Sequence, residues 1–300
     1  MSHVDLSGRL SELLDAEATS EQLASGFRFL EGPVWERRER RLIFCDWQEH
    51  KLQQWSEAGG LSLFRDKSNS ATGLTFDPEG RLIAAERRAS RGTDGGRRVA
   101  RIYPDGQIEG IATHYDGGRF SGPNDLICLA NGDVIFTDPD GGLEHSDGSK
   151  DPREVPFNGV YRINAADNSI DAVTGELESP NGIVKRDDSS ELLVADRGGV
   201  KSVNLETGAV SLFSGIAHEN YKGGADGMKL DSRGNLYVSG SREGIWVISP
   251  QAEVLGFIDM GEPAINMAWG DDDWQTLYVT ARTALYRIRM KVAGQELNPR

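Results

Sequence analysis

Cysteine is almost absent from this chain: its 300 residues include two, Cys45 and Cys128, each inside an apolar run and outside any Cys-x-x-Cys or Cys/His spacing. That excludes a disulfide framework or a structural zinc site as the organising element, and reads as two buried free thiols in a cytoplasmic protein. Positive charge is also short. Lysine and arginine total 33 against 47 acids, a formal net charge of −14, which argues against a broad basic face for nucleic acid or anionic lipid. No uncharged apolar run approaches the roughly 18–20 residues of a spanning helix. Met1 to Ser20 is polar and acidic, without the basic flank and apolar stretch of a secretory signal. Familiar catalytic signatures are missing too. There is no Gly-x-Ser-x-Gly elbow, and Gly117-Gly118 and Gly141-Gly142 are isolated pairs rather than phosphate or dinucleotide loops. The five histidines, His3, His50, His114, His145 and His218, lack metal-ligand spacing.

Glycine, by contrast, is plentiful at 36 residues and scattered throughout, and one phrase recurs. A short apolar run, often ending in an acid, appears as Leu42 to Asp46, Leu82 to Glu86, Val134 to Asp138, Leu192 to Asp196, Leu236 to Gly240 and Leu277 to Ala281. Each copy is preceded by one short strand-like segment and followed by another, with turns such as Pro104-Asp105-Gly106 leading to a further strand. Four short strands, repeated six times, predict an all-β, six-bladed β-propeller. The segment Gln22 to Phe29 has no blade of its own, and the last repeat lacks an outer strand. Pairing the two closes the ring and covers an open sheet edge. Residues 1–18 read as an extension outside the ring with a short helix around Leu10 to Leu14, and residues 19–300 as one domain.

Aligning the six innermost strands on their apolar residues exposes a column at their start: Glu31, Thr72, Asn124, Asn181, Asp226 and Asn266. Innermost strands line a propeller's axis, so these side chains should converge at one mouth. All six carry oxygen and two are carboxylates. Asn or Asp beside Gly or Pro often just makes a turn, but Glu31, Asn124, Asn181 and Asp226, each beside Gly or Pro at equivalent places in the repeats, together point to more. A ring of hard oxygen donors suits a divalent cation such as calcium.

Several of these residues sit in longer phrases: Glu31-Gly32-Pro33-Val34-Trp35, Ser121-Gly122-Pro123-Asn124-Asp125-Leu126, Phe157-Asn158-Gly159-Val160-Tyr161, Pro180-Asn181-Gly182-Ile183 and Asp226-Gly227-Met228-Lys229. Together they resemble the gluconolactonase branch of the family containing senescence marker protein (regucalcin), over roughly residues 27 to 290. The resemblance implies a metal-dependent lactonase acting on a sugar (aldono-) or related lactone. It implies one divalent ion held by Glu31, Asn181 and Asp226, most simply Ca2+, with Mg2+, Mn2+, Zn2+ and Fe2+ open. Asn124 would lie near metal or substrate, Arg119 would contact substrate, and Thr72 replaces an amide on the substrate side. Asp226, or a water it holds, would act as general base. The alternatives are a phosphotriester or other ester hydrolase of the same fold, and a propeller that binds calcium or a ligand without turnover.

The chain departs from the branch in three loops near the expected mouth. Thr72-Gly73-Leu74 stands for Asn-Gly-Leu. Glu86-Arg87 stands for Glu-His and is followed by an insertion, Arg88 to Arg97. Asp138-Pro139-Asp140-Gly141-Gly142 stands for Asp-Pro-Pro-Tyr-Gly. The metal residues are intact, so the altered loops predict an altered substrate pocket.

Overall fold

The recurring phrase is apolar on consecutive residues because both faces of the strand it forms are buried. In Arg41–Asp46, Leu42 and Phe44 pack toward the last blade with Tyr278 and Leu285. Ile43 and Cys45 pack the opposite way, with Ala71, Leu74, Leu82 and Ala84 of the second blade. The alternation repeats around the molecule: Val134 and Phe136 join one cluster and Ile135 the next, as do Leu193 with Ala195 and Leu192 with Val194. Every such strand is therefore glued to two neighbours, each buried aliphatic contributing about 1.5–3 kcal/mol before entropy is counted.

The computed structural model describes residues 3–88, 96–145, 148–186, 189–215, 224–240 and 244–296. They form a six-bladed β-propeller of antiparallel sheets arranged around an axis. From the axis outward, blade one is Leu30–Glu36, Arg41–Asp46, Lys51–Ser56 and Gly60–Asp66. Blades two to five follow the same order, starting at Ala71–Phe76, Leu126–Cys128, Ile183–Lys185 and Met228–Leu230. Blade six takes Ala264–Gly270, Thr276–Ala281 and Ala284–Arg289 from the C-terminal part of the chain. Its outer strand is Glu21–Ser25, paired antiparallel with Ala284–Arg289 so that Ser25 opposes Ala284. The ring is closed as the repeat arithmetic required.

Two features exceed the sequence reading. Val4–Asp5 adds a fifth strand to the edge of blade five, against Val254–Asp259. The expected helix is one 3-10 turn, Leu10–Glu12, and Leu10, Leu13 and Leu14 pack with Tyr237, Ile245 and Met260 between blades five and six. Where blade six meets blade one, Trp35 stacks on Tyr278 with ring centres 5.2 Å apart. Among the described residues, no helix is long and apolar enough to cross a membrane.

Candidate active site

Whether the six ring residues meet depends on how neighbouring blades touch at the start of their innermost strands. Four ring residues are followed by glycine, and each of these glycines faces the ring residue of the next blade. A Cβ on Gly32 would lie 2.0 Å from the Thr72 carbonyl oxygen, and one on Gly182 would lie 2.1 Å from that of Asp226. Gly73 and Gly227 face Asn124 and Asn266 in the same way. Between blades three and four the link is different: the Thr137 hydroxyl donates to the Asn181 carbonyl at 2.8 Å, and the Ile183 amide to the Asp125 carboxylate at 3.3 Å. The acids that end the second strands hold the loops leading to the ring. Asp138 accepts from the Ser121 and Gly122 amides at 2.9 and 2.7 Å, and Asp196 from Glu178 and Ser179 at 3.2 and 2.6 Å. Asp46 accepts from Phe29 at 3.4 Å. That explains why the phrase so often ends in an acid.

The charges gathered at this mouth are unbalanced. Burial raises the Glu31 pKa well above the carboxylate range, with the charge of Asp226 adding to it. Burial likewise raises Asp226, with Arg87 opposing and Asp125 reinforcing the shift. The neighbouring Asn181 side chain favours the charged form of Asp226, yet Asp226 Oδ1 is buried with no hydrogen-bond partner among the described residues. An orphaned carboxylate oxygen beside a second buried carboxylate is costly unless a cation joins them. The donor set, hard oxygens with two negative charges, fits a divalent ion. Among the described residues no group of three or more His, Cys, Asp or Glu side chains is placed to hold a metal; this set has two carboxylates and draws its remaining donors from amides. A cavity of about 480 Å3 opens here, lined by Asn181, Asp226, Asp196, Arg197 and Ile265 among others. A second cavity, about 700 Å3, lies along the axis beside Val34, Leu74, Ile127 and Lys229, and none of the six ring residues lines it.

The other residues singled out from sequence divide. Asn124 is 5 % exposed, with its amide N–H donating to the Thr137 carbonyl at 2.9 Å. Thr72 is 1 % exposed, and its hydroxyl donates to the Asn124 carbonyl at 2.8 Å. That proton is committed to holding Asn124 in place. Arg119 lies on a small hairpin, His114–Tyr115 with Gly118–Arg119, and its guanidinium donates to the Gly96 carbonyl at 3.0 Å. His114 is exposed on that hairpin and hydrogen-bonded to Thr113; His218 and residues 89–95 of the insertion lie outside the described residues.

Three charged residues of the axis escaped the sequence reading of the site. Asp125 is buried and receives the Leu126 amide at 2.9 Å as well as that of Ile183. Lys229 has its pKa lowered by burial, with Asp125 and Glu31 pulling the other way. Arg87 faces Glu31 and Asp226 from blade two. Its signal was present in the sequence as the arginine of Glu86-Arg87, but its direction depends on the loops packed around it.

Residues 29–283 match the family described as the SMP-30/gluconolactonase/LRE-like region. The chain belongs to that family. Within the SMP-30/gluconolactonase/LRE-like family it is 31% identical to a gluconolactonase of Zymomonas mobilis over 96% of this chain and 86% of the relative. It is 27% identical to the pentonolactonase XacC of Haloferax volcanii, over 84% of this chain and 81% of that one. Among solved structures, a gluconolactonase of Xanthomonas campestris superposes with a TM-score of 0.85 at 26% identity, covering 97% of this chain and 95% of the other.

Proposed function

We propose that the protein is a lactonase that hydrolyses a sugar lactone, an aldonolactone first, with one divalent cation held by Glu31, Asn181 and Asp226. One observation carries this reading: two buried carboxylates share one end of the axis, and an oxygen of Asp226 there lacks a partner among the described residues. Similarity to proteins named gluconolactonase and pentonolactonase supports the substrate class. Calcium is the first candidate because the donors are all hard oxygens, with Mg2+, Mn2+, Zn2+ and Fe2+ as alternatives. Two buried free cysteines agree with a cytoplasmic setting.

A bound cation supplies polarisation of the lactone carbonyl and a place for negative charge on its oxygen. The chain's own groups do the rest. Asn181 lies beside Asp226 and favours its charged form. Asn124, neutral and nearly buried, offers its side-chain N–H to the substrate without cancelling the cation's charge. Asp226 takes a proton from the attacking water as the new C–O bond forms. It returns the proton to the departing ring oxygen as the acyl C–O bond breaks, which leaves an open-chain hydroxy acid. Thr72 fixes the Asn124 backbone, and Arg119 presents its face to substrate from the rim.

The test is exhaustive chelation followed by metal add-back, read on a panel of aldonolactones, phosphotriesters and aryl esters. Aldonolactone hydrolysis should vanish with the metal and return with calcium. Undiminished activity after chelation contradicts the cation's role. Turnover confined to phosphotriesters or aryl esters favours the ester-hydrolase reading, and calcium binding without turnover of any substrate favours a binding propeller.

A further inference from the structure

Two of the sequence departures meet in space. Arg87 follows the second strand of blade two, and its side chain crosses toward blade three over Gly141. A Cβ on Gly141 would come 2.3 Å from Arg87 Nη2, while Gly122 and Gly142 crowd the Arg87 backbone. Gly141 stands where the resembled pattern has tyrosine, so the guanidinium fills space that an aromatic ring would take. On the other side the guanidinium lies 5.8 Å from the ring centre of Trp47. The exchange of His for Arg and the exchange of Tyr for Gly are therefore one structural change.

Neighbouring arginines are all engaged. Arg88 donates to the Gly142 carbonyl at 3.3 Å, Arg97 to the Phe120 carbonyl at 2.7 Å and to Glu154, and Arg119 to the Gly96 carbonyl. Arg87 alone among the four makes no hydrogen bond or ion pair through its guanidinium with any described residue. It faces Glu31, Asp226 and Glu144 as attractive charges and Arg88 as a repulsive one. Once a divalent cation offsets Glu31 and Asp226, the guanidinium is left as surplus positive charge at the mouth. A planar fork of N–H donors that no described residue uses, in a recessed place, matches a carboxylate bidentately. One free guanidinium suits a singly charged group better than a phosphate dianion.

We infer that Arg87 is a specificity-determining residue that binds a carboxylate of the substrate, and that the preferred lactones carry such a group at the end remote from the ester. The inference rests on the lactonase reading above and narrows its substrate class to monolactones of dicarboxylic sugar acids.

The experiment compares glucono-γ-lactone with glucaro-γ-lactone, which differ at one terminus as CH2OH against COO−. Turnover and calorimetric binding are measured on calcium-loaded parent, Arg87→Met, Arg87→Lys and the double variant Arg87→His/Gly141→Tyr. The parent should favour the glucaro lactone at least about tenfold in kcat/KM and in affinity. Arg87→Met should raise KM for the glucaro lactone about 10- to 100-fold, well beyond its effect on the glucono lactone. Arg87→Lys should recover part of that loss, and the double variant should reverse the preference. Equal preference in the parent, or equal losses on both lactones in Arg87→Met, overturns the inference while leaving the lactonase reading intact. Arg87-dependent binding of the glucaro lactone without hydrolysis of either compound would sustain the inference and end the lactonase reading. Absence of both binding preference and turnover ends both.

Discussion

Single residues at the mouth divide into those that carry charge and those that hold others in place, and substitution should separate them. Asp226 is a buried acid with an oxygen that no described residue satisfies, so Asp226→Asn removes both a charge and a ligand of the proposed cation site. Activity on an aldonolactone should fall about 10²–10³-fold, with weakened calcium binding in calorimetry. Thr72 contributes one hydrogen bond to a carbonyl. Thr72→Ala should cost less than about tenfold in kcat/KM, the worth of one neutral hydrogen bond. Similar losses in the two variants would mean that the charged group is elsewhere. That Asp226 lies near Glu31 was legible in the sequence, because the sixfold repeat placed both in one column. Thr72 occupied the same column but turned out to bond its neighbour, since the close approach of the Gly73 backbone puts the Asn124 carbonyl within reach of its hydroxyl.

The second strand of each blade has a double duty at the next scale up. Its apolar residues join adjacent blades, while in blades one, three and four its terminal acid receives amides of the loop that leads to the ring. Asp138 shows what that arrangement costs. Burial raises its pKa from 3.8 to about 7, against the two amide hydrogen bonds and the more distant Arg97 and Arg153 that favour the charged form. The folded state thus holds the Asp138 proton more tightly than the unfolded chain. This contribution to stability is complete below about pH 4 and is lost as pH rises toward 7. Asp138→Asn, which cannot ionise, loses an acceptor for one of the two amides at every pH. Its melting temperature should lie furthest below the parent's near pH 4, and the gap should narrow as pH rises to 7; a constant gap would show that Asp138 titrates normally. The strands themselves could be read from alternation and turn residues. The acid's role could not, because its partners are backbone amides that the sequence does not distinguish.

For the whole molecule the decisive contact is the one between Glu21–Ser25 and Ala284–Arg289, which turns an open stack of blades into a ring. An open ring would expose the edge of the last sheet and let blade six drift from blade one, separating Asn266 from Glu31. Ser25 and Ala284 are small and directly opposed. The pair Ser25→Cys/Ala284→Cys should therefore form a disulfide that closes nearly the full chain into a loop. Oxidation should raise stability by about 2–4 kcal/mol relative to the reduced form, measured by denaturant unfolding. No gain on oxidation, with the disulfide shown to be formed, would argue that closure does not limit unfolding.

Repetition alone determined the architecture, the closing strand and the column of six oxygen-bearing residues, because a propeller repeats one packing problem and the sequence repeats its solution. Buried aliphatic runs, turn glycines and ring positions are all set by periodicity along the chain. What only the folded molecule decided is the chemistry that lies between blades. Thr72 reaches Asn124, Thr137 reaches Asn181, and Arg87 enters the space vacated at Gly141 through contacts between segments from about 40 to 55 residues apart. No local pattern encodes such a meeting, since it depends on the distance between two loops carried by different sheets.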